Sequence, residues 1–315
     1  VAKQKLESVF EAMYHGKFDF KDFISGPTSE LYKTIKFKNR TVYDADKKLK
    51  AYHKFLNLFL FEFLELNTRV VYSYRKGVNV IDAVKKHASS RHFFQTDLKN
   101  FFGSIDLEMI RAAIQENSEN FPVSDVNENI ERILELVSVS GVLPPGFATS
   151  PLISNACLYH FDNQVEKFCL NSGLIYTRYS DDIIISGSTN KLYGLDAHIE
   201  SMLKESFGEK VLINGSKSKY TSIGGKIKIL GVVILPGGGI TIDTKLKSKI
   251  EVLLHYFTSD RQKFNVMLDD KDANGLLKVS GYLNYINTTD PAYLNKLRTK
   301  YGATVVDMFM RGSVK

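Results

Sequence analysis

Two aspartates stand side by side in the segment Ile175-Tyr176-Thr177-Arg178-Tyr179-Ser180-Asp181-Asp182-Ile183-Ile184-Ile185, between two apolar, β-prone runs. Successive strand residues point to opposite faces, so a tight turn between paired strands is needed to bring both carboxylates to one edge. A third carboxylate, Asp97, closes another apolar run, His92-Phe93-Phe94-Gln95-Thr96-Asp97. Singly, each is weak evidence, because an isolated Asp is far more often a helix cap or a surface ion-pair partner. Within apolar flanks the charges are costly unless neutralised, which shifts the balance. Oxygen ligands delivered from two strands to one point suit hard divalent cations, and two such ions can carry out phosphoryl transfer.

The elements that must hold these residues are readable from periodicity and breakers. An N-terminal helix is expected over 3–14, and alternation over 32–37 and 40–43 predicts a hairpin turning at Lys38-Asn39. Helices are expected over 47–66 and 82–88, then over 107–115 with Asp106 as its cap. Ser124 or Asp125 would open a helix running to about residue 139, and one long helix is expected over 150–170. The carboxylate hairpin is followed by a helix over 191–207, short strands within 211–242, and helices over 244–257, 272–286 and 291–308. The β-α-β-β order around the acidic residues points to a ferredoxin-like sheet, hence an α+β chain.

Bulk properties bound the partners. The chain has 315 residues, 43% of them hydrophobic, enough for a real core in one lobed unit or two to three subdomains. An excess of 42 basic over 35 acidic residues suits a nucleic-acid groove as readily as an ordinary basic surface. Phe and Tyr are plentiful and Trp is absent, so base stacking and core packing draw on the same rings. Cys157 and Cys169 lack metal-type spacing and fit small apolar fillers in a reducing, cytoplasmic setting. No membrane span is expected, since the most apolar stretch, 55–66, carries Asn57, Glu62 and Glu65. No secretory leader is visible.

Five further segments could serve such a site. Leu143-Pro144-Pro145-Gly146-Phe147-Ala148-Thr149-Ser150-Pro151 feeds a glycine-containing loop into a helix start, where backbone can approach a ligand closely. Ile213-Asn214-Gly215-Ser216-Lys217-Ser218-Lys219 offers lysines, and Tyr74-Arg75-Lys76-Gly77 a basic turn; both read equally as solvated surface. Ile229-Leu230-Gly231-Val232 reads as a plain hairpin tip. In the C-terminal helices, Lys296, Arg298 and Lys300 recur at spacings that can share a face, opposite Leu294 and Leu297.

In order along the chain, these segments resemble the motifs of reverse transcriptases. Tyr179 to Asp182 resembles the Tyr-x-Asp-Asp box, and Asp97 followed by Phe102 resembles the first carboxylate motif with its aromatic gate. Pro145-Gly146 stands where that family usually has Gln-Gly, leaving the Gly and the Ser150-Pro151 pair matching. The resemblance covers nearly everything from about residue 30 onward and is greatest to retron reverse transcriptases. Asp82-Ala83-Val84-Lys85-Lys86-His87 is similar to the retron Asn-Ala-x-x-His element, with Asp in place of Asn. Ile229-Leu230-Gly231 stands where retrons often carry Val-Thr-Gly.

The resemblance implies an α+β right-hand polymerase with a ferredoxin-like palm, α-rich fingers and a short helical thumb. Its expected bounds are an N-terminal helix and fingers over 1–90, palm over 91–107, fingers and palm insertion helices over 108–145, palm over 146–242 and thumb over 243–315. It implies RNA-directed DNA synthesis with two Mg²⁺ ions, Mn²⁺ substituting, held by Asp97, Asp181, Asp182 and the Leu98 carbonyl. Lys217 would protonate pyrophosphate, Phe102 would reject ribonucleotides, and Gly146, Arg75 and Lys76 would contact the deoxynucleoside triphosphate. Leu230 and Gly231 would grip the primer, while Lys296, Arg298 and Lys300 would bind nucleic acid. Implied partners are a cognate non-coding RNA and its cDNA, joined as a branched hybrid used in antiphage defence, with a separate effector protein and a host RNase H. The alternatives are a bacterial defence-associated reverse transcriptase without branched priming, or a nucleic-acid-binding scaffold with a vestigial site.

Overall fold

The computed structural model describes residues 3–37, 40–190, 192–224, 226–268 and 275–312. The turn expected at Lys38-Asn39 and the helix start at Asp272 lie outside the described residues. The strands are β1 (Tyr32–Phe37), β2 (Arg40–Ala45), β3 (His92–Asp97), β4 (Ile175–Tyr179), β5 (Asp182–Gly187), β6 (Lys219–Ser222), β7 (Ile227–Ile229), β8 (Val232–Ile234) and β9 (Ile240–Ile242). They form a β1-β2 ribbon, a sheet of order β4-β5-β3-β6, and a sheet of order β7-β8-β9. Placing β3 beside β5 is what carries Asp97 toward the turn of the β4–β5 hairpin.

The chain divides into two compact units, the first comprising Val1–Val78, Phe94–Ile185 and Lys191–Lys219, the second Asn79–Phe93, Ser186–Asn190 and Tyr220–Lys315. In the first, rings dominate one end of the core. Phe10 packs 4.9 Å from Phe23 and 5.1 Å from Phe55, and Phe23 lies 5.1 Å from Tyr52. All four are fully buried, which fastens the helix Leu6–Tyr14 to the helix Lys47–Phe59. Each such ring contributes roughly 2–3 kcal/mol through burial. The second unit has its own core, in which Phe309 lies 4.6 Å from Phe257, joining the helices Thr244–Ser259 and Ala303–Met310.

Several helices depart from their expected extents. The helix expected over 47–66 ends at Phe59 and continues only as a 3₁₀ turn, Phe61–Phe63. The one expected from residue 124 begins at Ile130, because the Asp125 carboxylate accepts the Leu6 backbone N–H at 2.8 Å and so caps the N-terminal helix instead. The long helix over 150–170 is two, Ser150–Cys157 and Tyr159–Asn171, broken at the fully buried Leu158. The last expected helix is also two, Pro291–Tyr301 and Ala303–Met310, separated by Gly302 at φ 95°. Asp106 caps its helix as expected, accepting from the Met109 N–H at 3.0 Å.

A close backbone contact joins β2 to the loop before Ser150. The Tyr43 N–H donates to the Pro145 carbonyl at 2.8 Å, and Phe147 packs 5.6 Å from the Tyr32 ring. Gly146 sits at φ 107°, where a Cβ would lie 2.4 Å from the Tyr43 carbonyl oxygen and 2.8 Å from the Val42 side chain. Gly141, at φ 80°, has nothing within 4 Å of such a Cβ. Gly146→Ala should therefore destabilise the first unit by about 2–4 kcal/mol, combining overpacking with backbone strain, and Gly141→Ala by only about 1 kcal/mol. Urea unfolding of both variants checks this; equal losses would mean that the contact at Gly146 is not close.

Candidate active site

The site is assembled at the end of β3. The Leu98 N–H donates to the Asp181 carbonyl at 2.9 Å, which ties the residue after Asp97 directly to the β4–β5 turn. The Asn214 N–H donates to the Asp97 carbonyl at 2.7 Å, and Thr96 and Ser218 pair through their hydroxyls at 2.7 Å. These bonds fasten the segment bearing Lys217 alongside β3. Lys217 Nζ then donates to Asp97 Oδ2 at 2.7 Å, and that bond raises the lysine's pKa.

Three carboxylates thus crowd a partly buried spot. Burial, then the charges of Asp181 and Asp97, push the Asp182 carboxyl up to about 6, with Lys217 and Lys219 opposing. Asp97 is 7% exposed, and its Oδ1 is buried without a hydrogen-bond partner among the described residues. An oxygen of that kind beside two further carboxylates fits a hard divalent cation. Among the described residues, however, no three His, Cys, Asp or Glu side chains already form a metal-ligating group; the Lys217 ammonium is the positive charge that meets Asp97 directly.

A cleft of about 720 Å³ opens over these groups, walled by Arg40, Tyr74, Asp97, Phe102, Asp181 and Lys217 among others. That volume accommodates a nucleotide-sized ligand. The Phe102 ring is half-buried, backed by Phe101 at 5.3 Å, and presents to the cleft. It follows Asn100, which takes the left-handed conformation at φ 50°.

Other expected site residues stand elsewhere. Arg75 donates to the carbonyls of Thr68 and Val71 at 2.8 and 2.5 Å, and Lys76 pairs with Glu62 at 2.9 Å; neither lines the cleft. Gly146 lies behind the cleft wall against β2, not on it. Leu230 and Gly231 belong to the second unit and form the two-residue turn from β7 to β8, with φ of 50° and 84°. Positive φ at both positions is the type I′ hairpin geometry, unusual for leucine. In the same unit Lys296 is exposed, Arg298 pairs with Asp307 at 2.9 Å, and Lys300 pairs with Glu251 at 2.6 Å.

Two contributors had only faint sequence signals. Arg40 reaches the cleft from the exposed β1–β2 ribbon, in the segment Arg40-Thr41-Val42-Tyr43, which resembles the fingers of bacterial reverse transcriptases without marking a role for that arginine. Tyr74 lines the cleft from a left-handed position, φ 58°, which no residue type announces. Among the described residues no helix is long and apolar enough to cross a membrane.

Comparison with known proteins gives this geometry a family. Residues 37–234 match the reverse transcriptase (RNA-dependent DNA polymerase) family. The chain is 26% identical over 300 residues to the retron Ec83 reverse transcriptase of Escherichia coli, covering 91% of this chain and 92% of that one. It is 30% identical over 276 residues to the retron Ec73 reverse transcriptase of Escherichia coli, covering 83% of each. Among solved structures, telomerase from Candida albicans in complex with a TWJ fragment of telomeric RNA aligns over 98% of this chain and 64% of its own, less than two thirds, with 12% identity and a TM-score of 0.48. The α+β right-hand polymerase class expected from the motifs holds, and members of this family work with divalent metal ions and an RNA template. The chain belongs to the reverse transcriptase family, as an RNA-directed DNA polymerase of the retron type.

Proposed function

We propose that this polymerase copies a cognate non-coding RNA into DNA, using the cleft above Asp97 and Asp181 as its nucleotide site. The observation that carries the reading is the Oδ1 of Asp97, buried without a hydrogen-bond partner among the described residues and set beside Asp181, Asp182 and a tethered lysine. Asp97, Asp181, Asp182 and the Leu98 carbonyl would hold two Mg²⁺ ions, or Mn²⁺, whose chemistry there is to activate the primer hydroxyl and stabilise the departing pyrophosphate.

The chain's own residues do the rest. Phe102 lies beneath the sugar and leaves no room for a 2′-hydroxyl, which selects deoxynucleoside triphosphates. Lys217 stays charged at neutral pH and, on leaving Asp97, delivers its proton to pyrophosphate. Arg40, on the cleft wall, receives the triphosphate, a role the sequence assigned to Arg75 and Lys76. The left-handed turn at Leu230 and Gly231 presents bare backbone to the primer strand. Lys296, Arg298 and Lys300, in the thumb formed by residues 243–315, contact phosphates of the template–primer duplex or of structured RNA.

The product in this reading is a branched RNA–DNA hybrid started from a 2′-hydroxyl of the cognate RNA. A separate effector protein joins it in antiphage defence, and a host RNase H removes copied template. The free thiols of Cys157 and Cys169 suit a reducing cytoplasm. Sequencing the nucleic acid that copurifies tests this directly: a branched species is expected, and a linear cDNA would favour a reverse transcriptase without branched priming.

Replacing Asp181 and Asp182 together with Asn should lower primer extension by about 10³-fold or more, since several kcal/mol of charge stabilisation is lost with little change in shape. Undiminished extension would refute the assignment. Phe102→Ala should narrow discrimination against ribonucleotides by about 10–100-fold in steady-state incorporation; unchanged selectivity would make Phe102 a packing residue. Asp182 also gives a pH signature. Its folded pKa, about 6, lies above the usual carboxylate value near 4, so ionising it costs stability above pH 6 and costs nothing below about pH 4. In chelating buffer, Asp182→Asn should raise stability at pH 7.5 by about 1 kcal/mol, after allowance for solvent screening, with the gain vanishing toward pH 4. A gain independent of pH would assign the effect to packing.

A further inference from the structure

The turn that aims Asp181 and Asp182 is gripped from beneath by a buried polar network that the chemistry itself does not use. Arg178 and Asp162 are both fully buried. Their pairing is two-pronged, Nε to Oδ1 at 2.8 Å and Nη2 to Oδ2 at 2.6 Å, and the Tyr176 hydroxyl donates to the same carboxylate at 2.7 Å. Arg178 Nη1 reaches forward to the Ser180 carbonyl at 2.9 Å and to Asn155 Oδ1 at 3.2 Å. Asn155 in turn donates to the Ser73 carbonyl at 3.0 Å, and the Ser73 hydroxyl accepts the Ser180 N–H at 2.8 Å. The Tyr74 hydroxyl completes the set, 2.8 Å from the Ser180 hydroxyl.

Every polar atom of Ser180 is therefore bound: its N–H by Ser73, its carbonyl by Arg178, its hydroxyl by Tyr74. Ser180 stands at φ 59°, a left-handed conformation that an L residue leaves unless its surroundings hold it there. A buried ion pair is a poor stabiliser, since well-packed apolar side chains fill the same space at less desolvation cost. What this pair does that apolar side chains cannot is hold a carbonyl in the turn. Tyr74 is itself left-handed and 41% exposed on the cleft wall, so the outermost bond of the network lies at the nucleotide site.

We infer that Arg178, oriented by Asp162, and Tyr74 are positioning residues that lock Ser180 left-handed and so aim Asp181 and Asp182 for cation binding. This inference rests on the polymerase reading of the carboxylates. It assigns no chemistry to the network, only the geometry of the ligands above it.

Mn²⁺ binding measured by electron paramagnetic resonance, without nucleotide or nucleic acid, tests it independently of synthesis. Tyr74→Phe and Ser180→Ala each remove one hydroxyl of a single bond, so each should weaken Mn²⁺ binding by about 5–10-fold with an unchanged melting temperature. The double variant should be no more than about twofold weaker than either, because both delete the same bond. Arg178→Lys keeps the charge but loses the fork, and should weaken Mn²⁺ binding further while KM for the deoxynucleotide at saturating Mg²⁺ stays within about twofold. If Arg178→Lys fails to fold, the Tyr74 and Ser180 pair still decides. Binding lost in Asp181→Asn but intact in Tyr74→Phe and Ser180→Ala would overturn the positioning role alone. Binding intact in Asp181→Asn as well would sink the metal site, and this inference with it. Additive losses in the double variant would also overturn it, since the two hydroxyls would then act separately.

Discussion

Mutual repulsion among Asp97, Asp181 and Asp182 is the constraint to which the first unit answers. Bringing three carboxylates into one half-buried spot is unfavourable: burial first, then the charges of Asp181 and Asp97, raises the Asp182 pKa. Packing alone would let such groups splay apart. The chain instead clamps both approaches: backbone bonds tie Leu98 to Asp181 and Asn214 to Asp97, and Lys217 meets one carboxylate oxygen with its ammonium. The burial of β3 and β5 supplies the rigidity, since most of β3 and all of β5 beyond Asp182 are interior. In the proposed function, a divalent cation would relieve the repulsion among these carboxylates.

The carboxylates were legible in the sequence because each depends on local signals, apolar β-prone runs broken at acidic residues. Lys217 came from the resemblance alone, since its own polar segment reads equally as solvated surface. What escaped was non-local. Arg75 carries the right charge in the expected basic turn, but carbonyls of its own segment satisfy it, while Arg40 arrives on the cleft wall from a surface ribbon. Asp125 has the residue type of a cap, yet the helix it caps lies 119 positions earlier in the chain. The break at Leu158 follows no glycine or proline, so only packing around that buried side chain accounts for it.

The second unit shows how counting charges can mislead. Of the three basic residues singled out on the helix Pro291–Tyr301, Arg298 and Lys300 already have acidic partners in Asp307 and Glu251. Lys247, on the helix Thr244–Ser259, pairs with Asp290 at 3.5 Å and lies 4.3 Å above the Tyr293 ring. A more exposed pair such as Lys300–Glu251 contributes little to stability, so a phosphate could replace that carboxylate at little expense. The paired carboxylates soften the field of these cations.

The contact at Gly146 has a mechanical consequence. Strand β2 rests closely on the loop before Ser150, bonded backbone to backbone at Tyr43 and Pro145, with the Val42 side chain also against Gly146. A ribbon seated this way has no slack of its own. If β1 and β2 tilt over the cleft, residues 144–147 must travel with them, and Phe147, wedged beneath Tyr32 and 4.7 Å from His53, goes too. Arg40 and Pro144, both on the cleft wall, thus move as parts of one lever. Whatever hinge serves that lever must lie beyond this contact.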